Sequence, residues 1–295
     1  MEEFLQFFFN GLGKGAVYAS LALALVIVYR TTGLVNFAQG EMAMFSTFII
    51  WWLAEDVASL PLWLATLIAM ALSFVGAAAI ERFLVRPVGS AQSNPLGVVI
   101  VTIGLFLTFN ALAPWLWGSN SKPGIPVATG GIDLLGASMS KQSLAALAIL
   151  AVEVGLLYLL FQKTKIGLAM RGVASNAEST ALVGVPVGRM LMIGWGLAAA
   201  LGAVAGLLSA DIGVDASIMQ VPLIYAFAAA TLGGFDSPMG AVVGGLIVGV
   251  VSELSAAYID WIGQDLRLLP AFVLILAVLM IRPQGLFGRA EVLRV

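Results

Sequence analysis

Hydrophobic positions fall in long unbroken runs, not in the alternation of a half-buried strand or the narrow stripe of a surface helix. Apolar runs cover residues 7–29, 35–54, 61–81, 95–117, 142–162, 190–210, 221–234, 239–258 and 266–281. A helix needs about 17–25 apolar residues to cross a bilayer. The pattern therefore predicts an all-α polytopic transmembrane bundle of about eight or nine segments, read as a single membrane domain over residues 1–295. The run 221–234 is short for a full crossing. It reads as a half-helix, which a bilayer tolerates only where protein or water satisfies its backbone, and broken helices are expected in the bundle. Turn and charge signals mark the gaps: Thr31-Thr32-Gly33, Glu55-Asp56, Arg86-Pro87, Gly118 to Pro123, Asp211 to Asp215, Asp236-Ser237-Pro238, Asp260 to Asp265 and Arg282-Pro283.

One interval breaks the apolar monotony. Between Lys163 and Arg189 the chain is polar and cationic, with Lys163, Lys165, Arg171 and Arg189 flanking a small-residue core from Gly172 to Pro186. A loop of this length, partly able to form helix, reads as a docking handle for a soluble partner. Basic residues in short loops set orientation. Placing Arg30, Arg82, Arg86, the 163–189 segment and Arg282, Arg289 and Arg294 in the cytoplasm leaves Lys122, Lys141 and Arg267 outside. Most acids then collect outside with them. This predicts an external N-terminus and a cytoplasmic C-terminus.

Composition agrees: 61% of residues are hydrophobic and 10% charged. The sequence contains no cysteine and no histidine. That removes disulfides, thiolate and imidazole catalysis, and the usual zinc and haem ligands. Met1-Glu2-Glu3-Phe4 lacks the positive charge that opens a cleaved signal peptide, so the first span is expected to stay. No catalytic and no metal-binding residues are assigned, and nothing in the pattern calls for nucleic acid.

Small residues recur at helical spacing. Gly194, Ala198, Gly202 and Gly206 form one stripe, and Gly240/Gly244 and Gly245/Gly249 form two further pairs. Such stripes let helix backbones approach closely in lipid. They serve either ordinary bundle packing or the lining of a solute path. A weak internal repeat joins Thr32–Glu41 to Leu232–Gly240. Each has a glycine-bearing turn, a phenylalanine, a small polar patch and a glycine opening the next helix. Transporters place solute sites at such repeats. Charged groups inside apolar runs cost roughly 2.5–3.5 kcal/mol each at the bilayer centre. Lys14, Glu41, Glu153 and Glu253 are thus expected to find partners within the bundle, and a proton relay is poorly supported. Gly13-Lys14 is not a phosphate-binding loop, because Gly15 occupies the position where a Ser or Thr must hold magnesium. Any ATP used in transport is hydrolysed by another polypeptide.

Four stretches carry a family resemblance along the whole chain: Gly33–Met42 (GLVNFAQGEM), Lys165–Arg171 running on to Asn176-Ala-Glu178 and Leu182-Val-Gly184-Val, Leu232–Gly240, and Arg282–Phe287. Together they resemble the permease subunit of branched-chain amino acid ABC importers, the high-affinity leucine/isoleucine/valine type. The resemblance implies a second permease, identical or homologous, two cytoplasmic ATP-binding-cassette subunits that bind the ATP, an extracytoplasmic solute-binding protein, and a bacterial inner membrane. It also implies that Arg171 to Val185 forms coupling helices, with Arg171, Asn176, Glu178 and Gly184 as the coupling residues. The plainer alternative for Arg171 is a share in the positive-inside bias. Asn36, Gln39, Glu41 and Ser237 are candidates for the translocation pathway, with turn capping as the alternative for each. The family's first motif commonly carries histidine where this chain has Gln39, which hydrogen-bonds but does not titrate near neutrality. Urea and short-amide importers share the architecture and stay open as substrate classes. A self-contained secondary carrier or channel, and a non-transporting scaffold, are the readings from other classes.

Overall fold

The computed structural model describes residues 2–90, 93–134, 136–259, 266 and 268–288. Arg267, Arg289 and Arg294, and the acids of the 260–265 turn, lie outside the described residues. The helices are α1 (Glu2–Thr32), α2 (Gln39–Trp51), α3 (Leu62–Ile80), α4 (Arg86–Val88), α5 (Pro95–Trp117), α6 (Lys141–Lys163), α7 (Lys165–Ser175), α8 (Ala177–Leu182), α9 (Val187–Ser209), α10 (Gln220–Gly233), α11 (Pro238–Tyr258) and α12 (Leu269–Ile281). Short strands lie in the connections: β1 (Lys122–Pro123) pairs antiparallel with β4 (Gly213–Val214), and β2 (Gly131–Leu134) with β3 (Ala137–Ser140). Single π-helical turns follow α2 at Trp52–Asp56 and α3 at Glu81–Val85. Among the described residues, 6 helical stretches are long and apolar enough to cross a membrane, Leu62–Val88 counted as one of them. The protein is an all-helical polytopic membrane bundle, in which α2 with its π-helical turn and the shorter apolar helices α10 and α12 accompany these stretches.

Local chemistry explains the helix starts. Asn94, Thr164, Asn176 and Ser237 each accept a bond from the backbone N–H three residues on, satisfying a donor that the first turn would otherwise orphan. Pro95 and Pro238 follow two of these caps, where a missing N–H costs nothing.

The chain divides into two compact units. The central unit comprises Ile27–Val127 and Ala151–Val221. Its core is the packing of α9 on α2 and α3. The small-residue stripe of α9 is used along its length. A Cβ added to Gly194 would lie 2.6 Å from Thr31 Cγ2, and one on Gly202 would lie 2.9 Å from Gln39 Nε2. One on Gly206 would fall on the Thr47 hydroxyl and 2.8 Å from the Ala43 carbonyl oxygen. These contacts also fix depth. Thr31, Gln39 and Thr47 meet α9 at successively later turns, so α2 begins opposite the middle of α9. The sequence pattern predicted a full span over 35–54. The helix that forms starts later, at Gln39 after an irregular turn, because Asn36 and Gln39 are polar residues buried inside the unit, and it runs through α2 and its π-helical turn to Asp56.

The terminal unit comprises Met1–Val26, Ala128–Leu150 and Pro222–Val295. Here α1 packs on α11 through Gly11, Gly15, Gly245 and Gly249. A Cβ on Gly245 would stand 2.5 Å from Ala19 Cα, and one on Gly11 2.7 Å from Val250 Cα. Lys14 finds the partner expected of it, donating to Glu253 at 2.5 Å. Helices α10 and α11 form a tight hairpin, in which Gly244 lies against the Ala229 carbonyl and Gly233 against Gly240. Gly234 turns the chain between them with φ of 98°, a conformation open to glycine. The stretch after α12 closes the open end of α10: Leu286 and Phe287 donate their N–H groups to the carbonyls of Leu232 and Gly233, at 2.8 and 3.0 Å. The Arg282–Phe287 motif thus satisfies carbonyls that α10 cannot satisfy itself.

Candidate functional site

The polar interval 163–189 folds as a helical elbow within the central unit. Thr164 caps α7 by accepting from Gly167 N–H at 3.0 Å. Asn176 ends α7 and caps α8, its Oδ1 accepting from Ser179 N–H at 2.8 Å. Gly184 closes α8 with φ of 86°, donating its N–H to the Ala181 carbonyl. The elbow has two faces. Its underside seats Met170 and Val173 against Met190, flanked by Phe161, Ala169, Ala177, Val185 and Leu197. Met170 is 1% exposed. Its outer side leaves apolar residues uncovered by the chain: Leu168 is 63% exposed, Leu182 89% and Val183 79%.

All four coupling candidates lie on this elbow, in different roles. Arg171 is half-buried and donates to Gln162 Oε1 at 2.8 Å, bracing α7 against the end of α6. Asn176 and Gly184 shape the elbow, while Glu178 stands exposed in the first turn of α8, where a negative charge complements the helix dipole. Leu182 and Val183 escaped selection by sequence because apolar residues are unremarkable in this chain. The usable signal was their place inside its longest polar interval, where burial in lipid is not the default.

The pathway candidates separate. Asn36, Gln39 and Glu41 form one buried group where α2 begins. Asn36 Oδ1 accepts from Ala38 N–H at 3.0 Å, and its Nδ2 donates to Gln39 Oε1 at 3.3 Å. Gln39, fully buried, donates Nε2 to the Ala198 carbonyl of α9 at 2.9 Å. Glu41 is 2% exposed and accepts from Asn110 Nδ2 of α5 at 3.3 Å. Ser237 belongs to the terminal unit, where its hydroxyl caps α11 by accepting from Gly240 N–H at 3.0 Å. Both glutamine groups of Gln39 are engaged, one on the turn and one on α9. The amide therefore stitches a broken helix to its neighbour, which a charged side chain at that depth would do only at a desolvation cost.

At the far end of the central unit from the elbow, Trp51, Trp52, Leu116 and Trp117 surround a cavity of about 450 Å³ with Asp56 and Lys122. Lys122 Nζ lies 5.3 Å from the centroid of the Trp51 ring, and Phe48 stacks on Trp117 at 5.2 Å. Tryptophans gathered at helix ends in this way mark a membrane–water boundary. Groups of three or more acidic residues that could hold a metal are absent among the described residues.

A family model described as the branched-chain amino acid transport system / permease component matches residues 7–281. The chain belongs to this permease family. The permease is 33% identical over 310 residues to the high-affinity branched-chain amino acid transport system permease protein BraD of Pseudomonas aeruginosa, covering 99% of this chain and 98% of that one. It is 30% identical over 313 residues to the corresponding protein LivH of Salmonella typhimurium, again covering 99% and 98%. A chain of PsaBC from Streptococcus pneumoniae, solved in complex with Fab, superposes with a TM-score of 0.53 at 14% identity, covering 95% of the permease and 92% of that chain. That likeness shows a shared fold. The permease is the membrane component of a transport system and not an enzyme.

Proposed function

We propose that the permease carries branched-chain amino acids inward as one half of the membrane channel of an ATP-binding-cassette importer. Two cytoplasmic ATPase subunits supply the energy, an identical or homologous permease completes the channel, and an extracytoplasmic binding protein delivers the solute. The N-terminus lies outside and the C-terminus in the cytoplasm of a bacterial inner membrane. Residues 1–295 act as one membrane domain with a cytoplasmic coupling loop at about 163–189, in which the elbow helices α7 and α8 are the docking surface. The observation that carries this proposal is the two-faced elbow. Apolar side chains exposed on a polar cytoplasmic segment need a protein partner, while the underside is anchored in the bundle and can transmit a push. ATP-driven approach of the two ATPase subunits rocks the elbows, and the channel alternates between its two openings. Asn36, Gln39 and Glu41 hold the broken helix beside the path, and Ser237 fixes the start of α11.

The test is to purify the permease from its native membrane, identify its companions, and measure uptake in liposomes. The expected result is an ATP-binding-cassette protein that is lost with Arg171→Ala, and leucine uptake that needs ATP and is not displaced by urea or short amides. Gradient-driven leucine flux through the purified chain alone would overturn it in favour of a free-standing carrier.

A further inference from the structure

Arg86 lies in the last turn of the helical stretch Leu62–Val88 and has no part in the candidate roles described above. Its guanidinium is held at three points. Nε donates to Glu81 Oε1 at 3.1 Å, and Nη2 donates to Glu81 Oε2 at 2.5 Å. Nη2 also donates to the carbonyl oxygen of Gly188 at 2.6 Å. Glu81 is 2% exposed and sits in the π-helical turn that follows α3. Gly188 lies in the first turn of α9, after the elbow helices α7 and α8 and outside the docking surface they form. The seat is made for the guanidinium: a Cβ on Gly188 would stand 2.6 Å from Arg86 Nη1 and 2.8 Å from its Cζ.

A buried carboxylate requires a cationic partner, and the Glu81–Arg86 pair alone would meet that need. The bond to Gly188 goes further, because it crosses to another element. Between α8 and α9 the chain is a short non-helical link, Val183–Pro186, in which movement of the elbow could be dissipated. Arg86 bridges past that link. A planar guanidinium with both fork atoms fixed on one carboxylate has no remaining rotation, so its contact with the Gly188 carbonyl holds α9 at a set distance from the end of α3.

We propose that Arg86 is a positioning residue for energy coupling: it clasps the exit of the elbow to α3, so that displacement of the elbow moves α9 and α3 together. This inference rests on the ABC-importer function proposed above.

The experiment uses the complete transporter, with both permeases, ATPase subunits and binding protein, reconstituted in liposomes. Gly188→Ala displaces the guanidinium from α9 while leaving the Glu81–Arg86 pair available, and Arg86→Lys keeps the charge but loses the fork. For both variants the ATPase subunits should still copurify and hydrolysis should persist. Leucine transported per ATP hydrolysed should fall about tenfold, the scale of one lost hydrogen bond to a charged group. An unchanged ratio would overturn the clasp. So would parallel loss of ATPase copurification and of thermal stability in both variants, which assigns Arg86 to folding alone. If the unmodified permease captures no ATPase subunit, the importer function itself fails and the clasp falls with it; that outcome is separable, because it is seen before any substitution is made.

Discussion

Leu182 and Val183 offer a direct test of the elbow as a docking surface, because they contribute little to the permease's own core. They are 89% and 79% exposed, so serine at both positions removes apolar surface that the isolated chain leaves uncovered. Changes of this kind away from packed features usually alter unfolding free energy by less than about 0.5 kcal/mol. Burying a leucine or valine against a partner contributes about 1.5–3 kcal/mol when the side chain starts fully exposed. Taking the low end and scaling by the observed exposures leaves roughly 2.5 kcal/mol for the pair, which corresponds to about 60-fold in Kd. The low end is appropriate because association also costs side-chain freedom at the interface. The assay is titration of the purified ATPase subunit onto the Leu182→Ser/Val183→Ser permease in nanodiscs, alongside a thermal unfolding scan. Weakened binding with an unchanged scan is expected. An unaltered Kd would refute the assignment of the outer face, whatever the scan showed.

Two further outcomes follow from the packing. Met170→Ala empties a site that is 1% exposed on the elbow's underside, and should cost about 2–5 kcal/mol locally; trypsin should then cleave faster at Lys165 and Arg171 in native membranes, and unchanged cleavage would show that the underside does not anchor the elbow. Gly206→Ala drives a methyl into Thr47 and the Ala43 carbonyl and should cost about 1–3 kcal/mol of stability in detergent, whereas Gly104→Ala and Gly155→Ala, with open space at both positions, should leave the melting temperature unchanged or raised.

The spans, the α9 stripe and the short α10 were legible in the sequence because lipid imposes one requirement on every exposed turn of helix. Residues that depart from it, Gly194 to Gly206 or the polar interval 163–189, stand out at once. Lys14 was also legible, since a cation in an apolar run needs an acid, although which acid was settled only by packing against α11. The depth of α2 was not. Residues 35–54 are as apolar as a full crossing, and only burial of Asn36 and Gln39 against α9 places the helix start halfway along its neighbour. The clasp was hidden for a different reason. In the sequence Arg86 is one more basic residue after a span, and nothing local connects it to Gly188, 102 residues away. Leu182 and Val183 were present in a quoted motif, but their exposure is a property of the folded elbow.

Helix α9 is restrained at both of its ends, which makes it a lever. Its first turn is gripped by Arg86. Just past its last turn, the Ala210 carbonyl accepts from Ile125 N–H at 2.8 Å, and Gly213 and Val214 pair with Pro123 and Lys122. Its 23 residues rise about 1.5 Å each, giving an arm of about 34 Å. A tilt of about 5° at Gly188 would therefore sweep the opposite tip through about 3 Å. Because the tip is sewn to the strand bearing Lys122, such a sweep would reach the tryptophan-lined cavity, so that a small angular change at the first turn of α9 would become a displacement about the size of a water molecule there.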